Sequence, residues 1–461
     1  MRKTGQVELL EVHGNLFINS NPAADSVPYT VRFMRETVSP SKHLDGIITL
    51  PGDKSISHRY GMLGAIAEGT TTLTNYSTGA DCQSTLACMS ALGAKVERDE
   101  QGRVVIHGGK LSAPAAELDA GNSGSTIRML SGILAAQPFM SHIGGDESLS
   151  RRPMARIIKP LSEMGARIEA REGTFPPLTI HGGNLHGIDY TLPVASAQVK
   201  SCVLLAGLFA DGDTIVREPI RTRDHTEVAL RALGADIVSS KRVITLRAGA
   251  RLAGQELVVP GDLSSAAFFL VAALLADEAN LVIHAVGLNP TRAALLDFLV
   301  SSGAPIKVVD VQQTGGELIG DLSVRCSKAA GKLRCEVIEG ALTAGLIDEL
   351  PVLAVLGAMS DSGLTVRDAG ELRVKETDRI ATLEANFKRM GAQFESSPDG
   401  FFVPGRQKFH AAELDSAGDH RIAMAFAVAS LAADGPCAIE GAEAASVSFP
   451  EFYSTLRQIA R

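Results

Sequence analysis

Five stretches combine residue types that could handle an anion. LPGDKSISHR (Leu50 to Arg59) sets Lys54, Ser55, Ser57, His58 and Arg59 just after a Pro-Gly turn. A serine at a helix entrance offers side-chain and backbone donors, and the helix dipole favours negative charge there. The stretch is not a Walker A loop, because Asp53 stands where that motif requires glycine before Lys-Ser. DAGNSGSTIRML (Asp119 to Leu130) is a small-residue loop in which Gly124 permits close backbone approach, with Arg128 one turn on. SLSRRPMARIIKPL, ASAQVKS and RTRDHTE then add Arg152, Ser196, Gln198, Arg221 and Arg223.

Acids appear later in the chain. GLIDELPVLAVLGAM places Asp348 and Glu349 before an apolar run, and ELRVKETDRI groups Lys375, Glu376, Asp378 and Arg379. On a helix Glu376 and Arg379 would share a face, the pattern of an ordinary surface ion pair. GDHRIAMAFAVASLAA opens another apolar run with Asp419, His420 and Arg421. Donors in one half of the chain and carboxylates in the other suit chemistry on an anionic substrate.

The elements that must position these groups show as repeats. ALGAKVERDEQGRVVIHGG returns as EMGARIEAREGTFPPLTIHGG and ALGADIVSSKRVITL, with weaker echoes at SSGAPIKVVD and RMGAQFESSPDGFFVPG. Each reads as a helix end, a Gly-Ala break, a strand, a turn and a second strand. The glycines Gly93, Gly165, Gly234, Gly303 and Gly391 lie roughly 70 to 90 residues apart, which fits repeated α/β subdomains and excludes short-period solenoids. LPGDKSISHRYGMLGAIA also matches VPGDLSSAAFFLVAALLA, so two similar domains are expected, their Pro-Gly-Asp turns at the junction. The boundaries read as 54–258 for the first domain, 43–53 plus 259–461 for the second, and 1–42 as a poorly ordered extension.

Composition narrows the classes. With 461 residues, 45% hydrophobic content and a net charge of −8, the chain is a globular protein of more than one domain. That charge argues against a general nucleic-acid or anionic-membrane surface. AAFFLVAALLA (Ala266 to Ala276) is well short of the ~20 residues of a membrane span and reads as a buried helix. Six scattered cysteines without metal-type spacing fit a reduced, cytoplasmic protein.

LPGDKSISHR, GNSGSTIR, RRPM, ASAQVKS, RTRDHTE, IDELP, ELRVKETDR, DHRIAM and SFPEF occur in order from about Asp45 to the C-terminus. Together they resemble the 3-phosphoshikimate 1-carboxyvinyltransferase (EPSP synthase) family, in its second sequence class. The resemblance implies an α/β fold of two similar domains, each of three βαβαββ units, the inside-out α/β barrel of the enolpyruvyl transferases. The implied reaction moves the enolpyruvyl group of phosphoenolpyruvate to the 5-hydroxyl of shikimate 3-phosphate and releases phosphate, in aromatic amino acid biosynthesis. By the match, Lys54, Ser55, Arg59, Ser196, Ala197, Gln198, Arg223, Asp348 and Lys375 hold shikimate 3-phosphate. Lys54, Gly124, Arg152, Gln198, Glu376, Arg379 and Arg421 hold phosphoenolpyruvate. Asp348 is the implied base, Glu376 the implied acid, and Lys54 a third catalytic group.

The family needs no metal and no cofactor; stimulation by monovalent cations, as in some second-class relatives, stays open, and a monomer is expected. Glyphosate inhibits the family by occupying the phosphoenolpyruvate site. Val447 stands where many relatives carry lysine before Ser/Thr-Phe-Pro, so no ligand is assigned there. Two alternatives remain: the sister transferase acting on UDP-N-acetylglucosamine, which usually relies on a reactive cysteine, and a non-catalytic anion-binding repeat protein.

Overall fold

The computed structural model describes residues 34–460. The five repeat glycines all adopt positive φ, from +71° at Gly391 to +103° at Gly234, which side chains disfavour. At each, the following alanine N–H returns to a carbonyl five residues back, as in Ala94 N to Met89 O (3.1 Å) and Ala235 N to Leu230 O (2.9 Å). These are Schellman closures, which end the helix and turn the chain into a strand.

Each closure leads into an antiparallel hairpin at the edge of a four-stranded sheet. In one such sheet the spatial order is Leu118–Asp119, Met140–Gly144, Phe175–His181, Arg167–Arg171, with the first pair parallel and the others antiparallel. The same order of one parallel and two antiparallel pairs recurs in four further sheets. Two of the sheets are completed by strands distant in sequence. His43–Thr49 lies parallel to Glu278–Gly287, and Glu256–Val258 parallel to Gly69–Thr74. A sixth sheet lacks a glycine-closed hairpin and has three strands, Glu413–Asp415, Cys437–Glu440 and Arg35–Val38. Arg35–Val38 pairs antiparallel with Cys437–Glu440, so the expected extension 1–42 is corrected at its end, where backbone pairing orders the chain. Its residues 1–33 lie outside the described residues.

Buried apolar side chains form two separate cores. One draws on residues from Ile56 to Val259, the other on Val38 to Leu50 together with Leu263 to Ile459. The helices Lys54–Ile66, Gly124–Ala135 and Ala197–Gly207 serve the first; Leu263–Leu275, Leu350–Met359 and His420–Leu431 serve the second. The last of these is buried on every residue, as expected for a helix apolar on all faces. Leu263–Leu275 holds most of the run expected to be a buried helix.

The two cores meet at the Pro-Gly-Asp turns. Asp53 N donates to Pro260 O (2.7 Å) and Asp262 N to Pro51 O (3.1 Å), around an antiparallel Gly52–Gly261 bridge. Asp53 and Asp262 then cap their helices by accepting from Ile56 N and Ser264 N (both 2.9 Å). The sequence echo is thus a contact of each copy with the other.

The pairing is sterically unequal. A Cβ at Gly52 would sit 1.9 Å from the Asn75 carbonyl oxygen, whereas one at Gly261 would meet Ala285 O at 3.1 Å. Gly52→Ala must displace backbone, at a cost of about 1–3 kcal/mol or more. Urea unfolding is expected to show a much larger loss for Gly52→Ala than for Gly261→Ala; equal losses would contradict this reading of the junction.

Candidate active site

Helix entrances from both halves converge on one cluster of charges. Capping sets them: Ser123, Ser196 and Asp419 accept from Thr126 N, Val199 N and Arg421 N, fixing Gly124, Gln198 and Arg421 in the first turns of their helices. Asp378 caps Arg379–Arg389 through Ala381 N (3.0 Å) and so places Arg379 at its first position. Glu376 lies before this helix and not on it, and its pair with Arg379 (2.7 Å) is inside the cluster. That burial excludes an ordinary surface ion pair, for Arg379 is only 1% exposed.

The carboxylates bind across the halves. Asp348 accepts from Arg223 Nη2 (2.5 Å), with Lys375 Nζ at 3.8 Å and Arg379 and Arg421 nitrogens at 3.9 Å. Arg421 also donates to the Asp348 carbonyl (2.8 Å). Glu376 Oε1 lies 3.6 Å from Arg152 Nη1. Arg379 Nε is held by Asp419 (2.7 Å), and Arg152 by the Asn122 amide oxygen (2.7 Å). Lys54 pairs with Asp81 (3.0 Å). Arg128 donates to Gln198 (2.8 Å), which donates to Ser125 (3.0 Å).

A cluster of opposed carboxylates and cations, built around five capped helix entrances in two halves, is also a test of kinship. A family model for EPSP synthase (3-phosphoshikimate 1-carboxyvinyltransferase) matches residues 38–456. The chain belongs to the EPSP synthase family. The 3-phosphoshikimate 1-carboxyvinyltransferase of Solibacter usitatus is 62% identical over 430 residues, 93% of this chain and 100% of that protein. That of Koribacter versatilis is 54% identical, covering 92% and 98%. The solved EPSP synthase of Acinetobacter baumannii superposes with a TM-score of 0.82 at 43% identity, over 92% of this chain and 98% of that one. The family's fold, two mixed α/β domains, is the one described above.

The electrostatics of the site fit a family of anion-handling enzymes. Burial pulls Arg128 down to about 10, followed by repulsion from Arg152 and Arg156. Guanidinium groups so crowded need a negative partner. Burial alone would raise the Asp348 carboxyl, but Arg421, Arg223, Lys375 and Arg379 hold it well below the usual range. Glu376 is likewise pushed up by burial and drawn well below normal by Arg379, His420, Arg152 and Lys375. Burial lowers Lys375, offset in part by Asp348, whereas for Lys54 burial is outweighed by the attraction and hydrogen bond of Asp81 together with the attraction of Glu376, which leave it raised.

Of the residues singled out in sequence, Lys54, Gly124, Arg152, Gln198, Arg223, Asp348, Lys375, Glu376, Arg379 and Arg421 share this region or its immediate contacts. Ser55, Ser196 and Ala197 stand at the ends of its helices. His58 does not join it, being buried with Nδ1 on Thr85 (2.7 Å), and Ser57 instead bonds Ser77 N. Arg221 is exposed beside Asp224. Sequence reading missed Asp81, an isolated polar residue without a motif, and passed over Asn122, which lies inside GNSGSTIR. It also missed Arg292, which donates to Ser264 and lies 3.5 Å from Glu349, beneath the Asp348 turn.

The depressed carboxyls have a stability consequence. Their ion pairing contributes fully above the unfolded values of ~4 and is lost as pH falls through the lower folded values. Asp348→Asn should therefore lose urea resistance less steeply than the parent between about pH 5 and pH 3. Equal slopes would show that Asp348 does not carry this dependence.

Proposed function

We propose that this enzyme transfers the enolpyruvyl group of phosphoenolpyruvate to the 5-hydroxyl of shikimate 3-phosphate, with residues 54–258 as the first domain and 43–53 plus 259–461 as the second. The observation that carries the reading is the meeting of Arg223 with Asp348 and Arg152 with Glu376, which brings donors of one half onto carboxylates of the other. Both substrates carry phosphate and carboxylate, and planar guanidinium groups suit both anions.

Shikimate 3-phosphate is held by Lys54, Ser55, Arg59, Ser196, Ala197, Gln198, Arg223 and Lys375, with its 5-hydroxyl against Asp348. Phosphoenolpyruvate is held by Lys54, Gly124, Arg152, Gln198, Arg379 and Arg421, with its methylene carbon toward Glu376. Asp348, already ionised, accepts the hydroxyl proton as the oxygen bonds to C2 and a proton adds to C3. The tetrahedral intermediate then loses phosphate from C2 and a proton from C3, which restores the double bond. Glu376 must first gain a proton. Phosphoenolpyruvate anions competing for Arg152 and Arg379 loosen the grip that keeps this carboxyl ionised, and so raise it toward the range of an acid. The reading requires no cofactor and is that of a monomeric cytoplasmic enzyme. Among the described residues no helix is long and apolar enough to cross a membrane.

The sister reaction on UDP-N-acetylglucosamine finds less support. Cys82, whose thiol donates to the Lys54 carbonyl, is buried, and burial raises it far from the reactive range. Phosphate release from phosphoenolpyruvate is expected with shikimate 3-phosphate and not with the UDP-sugar; the reverse pattern would overturn the assignment. In the same assay Asp348→Asn should lower kcat by roughly 10² or more while shikimate 3-phosphate still binds.

Gly124 offers a second test. A Cβ there would meet Arg128 Nη1 at 3.0 Å and Arg152 Nη1 at 3.6 Å, so a methyl projects toward Arg128 and the Arg152 assigned to phosphoenolpyruvate. Glyphosate is longer than phosphoenolpyruvate and is crowded more. The parent is expected to be glyphosate-sensitive, and Gly124→Ala to raise the inhibition constant by roughly 5- to 150-fold, far more than the KM for phosphoenolpyruvate. Parallel changes in both constants would refute the steric account.

A further inference from the structure

Two motifs contain residues that the reaction does not use: Lys200 and Ser201 in ASAQVKS, and Thr226 and Glu227 in RTRDHTE. All four are buried, and they meet in adjacent pairs. Lys200 Nζ lies 2.7 Å from Glu227 Oε1 and 3.0 Å from Glu218 Oε1. Ser201 Oγ lies 2.6 Å from Thr226 Oγ1. The helices Ala197–Gly207 and His225–Ala232 are thus joined by an ion pair and a hydroxyl pair side by side.

The hydroxyl pair receives Arg59. Arg59 Nε donates to Thr226 Oγ1 (2.6 Å), Nη2 to Ser201 Oγ (2.8 Å), and Nη1 to Ser55 O (2.7 Å). Ser201 spends its own hydrogen on Ala197 O (2.7 Å), so Thr226 is the donor between the two hydroxyls. Every polar atom of the pair is then satisfied in one direction. Of the five N–H groups of a guanidinium, one on each terminal nitrogen of Arg59 is left for a ligand. The polarity runs from Arg59 into the first turn of the helix that carries Gln198.

We propose that Thr226 and Ser201 are positioning residues for Arg59, setting its guanidinium plane for shikimate 3-phosphate while Lys200 and Glu227 clamp the two helices that bear them. This rests on the assignment of Arg59 to that substrate. Without the Thr226 hydroxyl, Nε loses its acceptor in a buried site and the guanidinium turns to find another. The substrate bound by Arg59 loses affinity, while phosphoenolpyruvate, assigned to other arginines, does not.

Steady-state kinetics of the full-length chain separate these roles. Thr226→Val, close in shape, is expected to raise the KM for shikimate 3-phosphate about tenfold, with kcat and the KM for phosphoenolpyruvate within about twofold of the parent. Thr226→Ser should restore the parent values. In an Arg59→Gln background, Thr226→Val should add no further loss, because its effect passes through Arg59. Should Thr226→Val fail to fold, Ser201→Ala removes the other acceptor and carries the same expectation. An unchanged KM, an equal rise in both KM values, or a full additional loss in the Arg59→Gln background would each overturn the proposal. An Arg59→Gln chain with normal affinity, or a parent that does not turn over shikimate 3-phosphate, would instead fail the functional reading on which it rests.

Discussion

Charge balance among buried guanidinium groups is the constraint on which the site depends. Arg379 is almost wholly buried, and it is tolerated because Asp419 and Glu376 each take a hydrogen bond from it. Removing either carboxylate would leave a buried cation short of a partner, the costly outcome for such networks. Asp348 serves in the same way among Arg223, Arg421 and Lys375. Asp419, Glu376 and Asp348 therefore act as counter-ions that make the cluster stable, and the last two are also the carboxylates proposed above to move protons. Helix caps set the geometry, since Asp419 caps one helix through Arg421 N while gripping Arg379 on another.

The repeat glycines were legible because a positive φ excludes most residues and leaves a visible mark in the sequence. Gly93 and its four counterparts gave five hairpins correctly for that reason. The sixth sheet was not legible: its third strand, Arg35–Val38, is supplied from the far end of the chain and follows no helix-closing glycine. The strand exchange of Glu256–Val258 is equally silent locally, because parallel pairing leaves no turn signal between partners so far apart.

Site residues divided along similar lines. Gly124, Arg152, Lys375 and Arg421 sit in motifs with several polar residues at a helix entrance, a pattern that local reasoning can find. Asp81 and Arg292 contribute through tertiary contacts to motif residues, so nothing in their own neighbourhood marks them, and Asn122, though inside GNSGSTIR, shows its role only through its contact with the distant Arg152. His58 was misleading for the complementary reason. It sits four positions after Lys54, but burial among Thr85 and its neighbours turns it into the first core.

The exchange of strands between halves and the paired Pro-Gly-Asp turns act on the same problem. Each half alone would hold an unbalanced set of charges: Arg152 and Arg223 find Glu376 and Asp348 only across the boundary. The Gly52–Gly261 bridge fixes where the halves meet, and the helices capped by Asp53 and Asp262 start from that bridge. Lys54, the residue after Asp53, is therefore referenced to the second half through two backbone bonds, although its helix packs in the first core. Further out, the exposed Arg156 and Glu371 pair across the same boundary at 2.7 Å. An exposed pair of this kind contributes little stability. The relative placement of the halves thus rests on the bridge at one end and on the buried guanidinium-carboxylate contacts in the middle, and any anion that competes for those guanidinium groups acts on the placement as well as on the chemistry.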